Sequence, residues 1–174
     1  MSSPRLTETS YIVLGLLERA QPATAYDLKA LAALSTANFW SLPHAQLYAE
    51  CARLAQAGLL SERQEQTGRR RRVYRLTESG YAALREWLQA PTERGYELRD
   101  AATLKLFFGG DPAQLANAQL TIHSQRLEVY EELRSSIQDA PRGWLLALEA
   151  GIGHEREFIR FWSSVGDQNS TSDR

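Results

Sequence analysis

Six arginines crowd residues 63 to 75, and four of them are consecutive: Arg69, Arg70, Arg71 and Arg72. A guanidinium keeps its charge and offers phosphate a fork of parallel N–H donors, so such a run can grip a nucleic-acid backbone. The competing reading is a solvated charged face. Position separates the two. Leu59-Leu60-Ser61-Glu62-Arg63 and Val73-Tyr74-Arg75-Leu76-Thr77 read as strands on either side of a turn at Thr67-Gly68. The arginines therefore sit at the tip of a β-hairpin, a wing-like shape that lies along a duplex. Strand alternation cannot turn all four the same way, so two or three of them face DNA. Double-stranded DNA is the partner this chemistry implies.

A second group precedes the hairpin. His44, Gln46 and Tyr48 open a helix predicted from Pro43 to about Ala57. Glutamine pairs with adenine edges, while histidine and tyrosine donate to phosphate. A helix N-terminus itself favours phosphate. The plainer alternative leaves His44 merely exposed and packs Tyr48 on the wing. Lys29 joins the DNA candidates, and Arg5 is weaker still, because single basic residues are usually plain surface. Trp144 and Trp162 stand on the last helix, where they can line a flat apolar slot for a planar ligand or act as core or interface anchors.

No catalytic constellation emerges. His44, His123 and His154 are far apart, with neither His-x-x-x-His nor Cys-x-x-Cys spacing, so no metal site is expected. Gly109-Gly110 lacks the lysine of a phosphate loop. Glu131, Glu132, Glu155 and Glu157 read as solvated helix faces. Cys51, the one cysteine, falls on an apolar helix side and reads as an inert buried thiol. The chain reads as no enzyme, with no cofactor.

These groups need elements to hold them. Thr7 caps a helix with Ile12, Val13, Leu16 and Leu17 inward, and Pro22 closes it. A second helix starts near Thr24 and runs through Tyr26, Leu28, Leu31 and Leu34. Phe39-Trp40 anchors the loop that follows. Leu47, Cys51 and Leu54 face inward on the third helix, and Gly58 ends it. Thr77 caps a fourth helix that stops at Pro91. Helix–helix–helix–strand–strand–helix is the order of a winged helix-turn-helix. The rest reads as all helix: Leu98 to Phe108, then Asp111-Pro112 opening a helix to about Asp139, then a last helix ending near Val165. Leu115, Ile122 and Val129 recur at seven residues, beside Leu120 and Leu127. Two helices with apolar stripes this broad cannot bury both alone, so an antiparallel helical homodimer is expected.

Composition agrees. With 43% hydrophobic and 24% charged residues in 174, the chain can bury a core. No apolar run approaches the roughly 20 residues of a membrane span, and no signal peptide is read, so no membrane partner and a cytoplasmic location are expected. The net charge of −1 hides an asymmetry: residues 1–90 carry 11 basic and 8 acidic groups, residues 91–174 carry 9 and 13. A basic first half and an acidic second half suggest separate tasks. The expected architecture is mainly α, an α+β winged helix: a winged helix-turn-helix domain with a two-stranded wing at 1–91, a helical dimerisation domain at 92–165 and a disordered tail at 166–174.

Several fragments in order carry a family resemblance. They are Thr9-Ser10-Tyr11-Ile12-Val13-Leu14-Gly15-Leu16-Leu17, Ala25-Tyr26-Asp27-Leu28-Lys29, His44-Ala45-Gln46-Leu47-Tyr48, Arg53-Leu54, the wing Gly68 to Thr77, and Leu104-Lys105-Leu106-Phe107-Phe108. The chain resembles the PadR family of transcriptional regulators through about residue 165. The resemblance implies a dimer that binds a pseudo-palindromic operator, usually as a repressor. It implies a recognition helix in the major groove, a wing on the minor groove or backbone, and in some members a small-molecule effector. Activation is also compatible, since the C-terminal helices resemble those of a virulence-gene activator. The alternative is a winged-helix protein–protein interaction module that no longer reads DNA; four arginines on the wing argue against it.

Overall fold

Short polar residues at the helix starts do much of the local work. Thr24 and Asp27 cap each other's backbone N–H at 2.9 and 3.2 Å. Thr77 accepts from the Gly80 N–H at 3.1 Å. Asp100 accepts from Ala102 and Thr103, and Asp111 from Ala113 and Gln114. Each cap satisfies donors that the first helical turn leaves free. The computed structural model describes all residues except 1–3, 37, 38, 41, 66–69, 94, 96, 138, 173 and 174, with side chains described as far as 167. Among the described residues the order is α1 (Glu8–Ala20), β1 (Ala23–Thr24), α2 (Ala25–Ala33), α3 (His44–Gln56), β2 (Leu60–Gln64), β3 (Arg72–Leu76), α4 (Glu78–Gln89), α5 (Ala101–Phe107), α6 (Pro112–Ser136) and α7 (Arg142–Ser172).

The chain divides into Met1–Glu93 and Arg94–Arg174. In the first unit, α1 to α4 close over one apolar core. Val13, Leu14, Leu17, Leu28, Cys51 and Leu54 are fully buried there. The sheet has three strands, not the two read from sequence. The short β1 pairs with β3, placing β3 between β1 and β2, all antiparallel. Two residues of strand leave no alternation to read, which is why β1 escaped notice. Gly80 is required where α4 meets β2: a Cβ there would stand 2.2 Å from the Leu59 carbonyl oxygen.

The second unit is built around the α6–α7 hairpin, with α5 beside it. It has two small cores. Ala102, Ala116 and Trp162 form one, with Leu106, Leu115, Leu120, Phe158 and Val165 packed on it. Tyr130, Leu148 and Ile152 form the other, with Leu127, Leu133 and Ile137. The buried heptad on α6 is Ala116, His123 and Tyr130. The expected pair Ile122 and Val129, one residue earlier, is 49% and 56% exposed. The last helix, α7, continues past Val165 to Ser172. No helix among the described residues is long and apolar enough to cross a membrane.

Candidate nucleic-acid interface

Residue spacing on α3 sorts its polar groups. Leu47, Cys51 and Leu54 point into the core. At 100° per residue, His44 and Tyr48 share one flank, and Gln46 lies on the opposite one with Glu50 and Arg53. His44, Gln46 and Tyr48 are all exposed, so the three predicted contacts emerge on two sides of the helix rather than on one. Tyr48 is 45% exposed and is not packed away under the wing. Lys29, on α2, is half-buried.

The wing shows the same sorting by alternation. Tyr74 and Leu76 are buried, so β3 turns that face to the core. Arg72 shares the face but stands beyond the core, where its Nε lies 3.4 Å from Glu62. Arg71, Val73 and Arg75 point the other way. The register sets Ser61 opposite Arg75 and Arg63 opposite Val73, so three arginines share the outer face. Arg63 and Arg75 are additions that a search for consecutive charge passes over; their signal was the strand period of two. Arg71, Arg63 and Arg75 border an open groove of 790 Å³ whose other walls include Thr24, Asp27 and Glu65. Glu65 holds Arg71 in two ways. Its N–H donates to the Arg71 carbonyl at 2.9 Å, and its carboxylate lies 3.5 Å from the Arg71 Nε. Arg70 takes φ +48°, the left-handed turn conformation, and its side chain is exposed. Arg69 lies outside the described residues.

Other aromatic residues are exposed. Tyr26 on α2, and Phe39 and Trp40 of the loop read as an aromatic anchor, are 65%, 63% and 45% exposed. They join Tyr48 on the surface of the first unit. Trp87 stacks on Tyr11 with ring centroids 4.5 Å apart. Cys51 is buried as read. Burial first, and the neighbouring Glu50 charge second, push its thiol up to about 12, which removes thiolate chemistry.

The ligand candidates separate. Trp162 is fully buried in the first core of the second unit, and its indole N–H has no partner among the described residues. Trp144 is half-buried. Eighteen residues of one helix put the two about 27 Å apart, so a single protomer cannot set both around one ligand. Glu155 corrects the reading of a solvated face. It is 2% exposed, and its Oε2 is 2.5 Å from the Nδ1 of His123, itself buried. Arg126 stands 3.8 Å from its other oxygen. Glu157 is on the surface as expected, paired with Arg160. No group of three metal-ligating side chains exists among the described residues.

Comparison with known proteins places this geometry. Residues 13–86 match the transcriptional regulator PadR-like family, and residues 98–166 match the virulence activator alpha C-terminal family. The negative transcriptional regulator PadR of Bacillus subtilis (strain 168) is 26% identical, over 89% of this chain and 93% of its own length. A crystal structure of Bacillus subtilis PadR in complex with operator DNA superposes with a TM-score of 0.83 at 22% identity, covering 95% of this chain and 99% of the other. One of the same protein with p-coumaric acid superposes at 0.76 and 21% identity, covering 94% and 98%. Both likenesses establish the fold alone, a winged helix followed by C-terminal helices.

Proposed function

Because this chain belongs to the PadR family of transcriptional regulators, not enzymes, we propose that it is a homodimeric repressor of a pseudo-palindromic operator, released by a small aromatic ligand. The observation that carries the DNA reading is the common mounting of α3 and the wing. One apolar core holds both, and from it α3 presents His44, Gln46 and Tyr48 while the hairpin presents Arg70, Arg71 and Arg72. Arginines neutralise phosphates without regard to sequence, and Gln46 on α3 supplies base reading.

The dimer reading rests on apolar surface in the second unit. Leu104, Phe107, Phe108, Ile122, Val129 and Leu146 are each about half exposed or more. The Ile122 and Val129 stripe runs beside the buried heptad and is available to a second copy. A two-fold dimer would present two α3 helices to two half-sites. The ligand reading draws on the Bacillus subtilis relative with p-coumaric acid. A ligand that changes the spacing of the two recognition helices shifts the population away from the binding form.

Fluorescence anisotropy tests this, with DNA from upstream of the chain's own gene against a scrambled duplex at several salt concentrations. Preference for the upstream DNA is expected. If six to ten phosphates are neutralised, affinity falls about 10³–10⁵-fold between 50 and 200 mM salt. Arg71→Ala should weaken both duplexes and lessen the slope, while Gln46→Ala should lower the preference. Equal, weak binding to both duplexes would favour the protein–protein interaction module.

A further inference from the structure

Ser10, in the first turn of α1, is fully buried, and every hydrogen-bonding position of its hydroxyl is used. It donates to Glu50 Oε1 at 2.5 Å and accepts from the Thr7 N–H at 2.9 Å and Arg53 Nη2 at 3.0 Å. One O–H and two lone pairs are all that a serine has. Arg53 closes the cluster on Glu50 with a bidentate grip, Nε to Oε2 at 2.9 Å and Nη2 to Oε1 at 2.6 Å. The Glu50 carboxyl is held below the usual range, chiefly by the Arg53 bonds and also by the Ser10 hydroxyl, against the opposing effect of burial.

Glu50 and Arg53 follow Gln46 at i+4 and i+7, so all three occupy one flank of α3. We propose that Ser10, Glu50 and Arg53 form a positioning latch that sets the roll of α3 about its own axis, and with it the base edge that Gln46 reaches. This rests on the DNA-reading role given above. Apolar packing of Leu47, Cys51 and Leu54 holds α3 against the core, but it is not directional. Charge-assisted hydrogen bonds are directional and roughly twice as strong as neutral ones. The roll matters because a side-chain tip about 6 Å from the axis moves about 2 Å for a roll of about 20°. That exceeds the tolerance of a hydrogen bond. The latch also ties up part of the Arg53 guanidinium. Its side chain is 39% exposed on the recognition helix, and its Nε and Nη2 donors are taken by Glu50 and Ser10. In this proposal Arg53 acts as a positioning residue.

The test compares wild type, Ser10→Ala, Ser10→Thr and Glu50→Gln by anisotropy on upstream and scrambled DNA across salt, with circular dichroism to verify folding. Ser10→Ala and Glu50→Gln should cut the preference for upstream DNA about tenfold, the loss of one base contact. In Ser10→Ala, which removes no charge, affinity for scrambled DNA and the salt slope should stay unchanged. Ser10→Thr keeps a hydroxyl and should restore the preference. Should Ser10→Ala not fold, the near-isosteric Glu50→Gln decides. An unchanged preference in a folded Glu50→Gln protein overturns the latch. So does equal weakening on both duplexes with the salt slope reduced by about one, which is the loss of an Arg53–phosphate contact. Wild type that treats both duplexes alike overturns the DNA reading and this role together, before any variant is compared.

Discussion

The two units bury different things. Residues buried in the first are almost all apolar, from Val13 to Leu84, and its buried polar side chains, Ser10 and Thr24, are short hydroxyls. The second unit interrupts its two small cores with a buried His123–Glu155 pair, and leaves Phe107 and Phe108 81% and 78% exposed. A helical hairpin has too little interior to hide every apolar side chain. The first unit also leaves Tyr26, Leu34 and Phe39 exposed, but it gathers its buried apolar residues into one continuous core. A thin hairpin with apolar residues outside and ionisable residues inside leaves a surface that we propose a second copy covers.

Three experiments sharpen that contrast, the largest effect first. Trp162→Ala empties the centre of the first small core of the second unit. Loss of a buried tryptophan should cost about 3–5 kcal/mol, read in denaturant unfolding of the full chain. Stability of wild type and variant alike should fall on dilution, because a unit completed by a partner depends on protomer concentration. Stability independent of concentration would mean that the hairpin is self-sufficient.

Next comes the buried pair. Glu155→Leu strands the His123 imidazole among apolar neighbours, with Phe158 4.9 Å from its ring centre. We expect about 1–3 kcal/mol of destabilisation from the unmet polar group. The double variant His123→Leu with Glu155→Leu should recover most of it, since a matched apolar replacement is often neutral or better. If the double variant is worse than the single, the pair specifies the α6–α7 register and is no mere substitute for apolar packing.

The smallest effect separates the units by pH. In the first unit, the Asp27 carboxyl is lowered first by the Thr24 backbone N–H and then by its hydroxyl, and Glu50 is lowered first by Arg53. A depressed carboxyl contributes stability above its unfolded value and loses it as pH falls through the folded one. Stability of the first unit should therefore decline from about pH 5 downward. Glu50→Gln should be less stable than wild type at neutral pH and show a flatter decline into acid, followed by thermal melts at stepped pH. A variant with an undiminished acid decline would show that Glu50 takes no part in it.

Much of the first unit was legible because its signals are local. Thr7, Thr24 and Thr77 announce helix starts wherever they stand, Gly58 at φ +75° marks a helix end, and the arginine run marks a hairpin tip. The candidate interface was only partly legible. The types His44, Gln46, Tyr48 and Arg70 to Arg72 could be read, but Arg63 and Arg75 join the wing face only through the β2–β3 register. Ser10, 40 residues from Glu50, meets it only because α1 packs on α3.

The second unit shows where local reading stops. Ile122 and Val129 are the better apolar residues, yet α6 turns His123 and Tyr130 inward. Helical periodicity places residues around an axis, but it does not say which side meets a neighbour. Glu155 looked like one more surface acid until α7 brought it against His123. By itself the sequence determined the elements, their caps and the chemical repertoire, since those depend on neighbours a few residues away. Only the tertiary structure decided which faces are buried, which arginines share a surface and which polar groups find partners, because those depend on residues that the chain brings together only on folding.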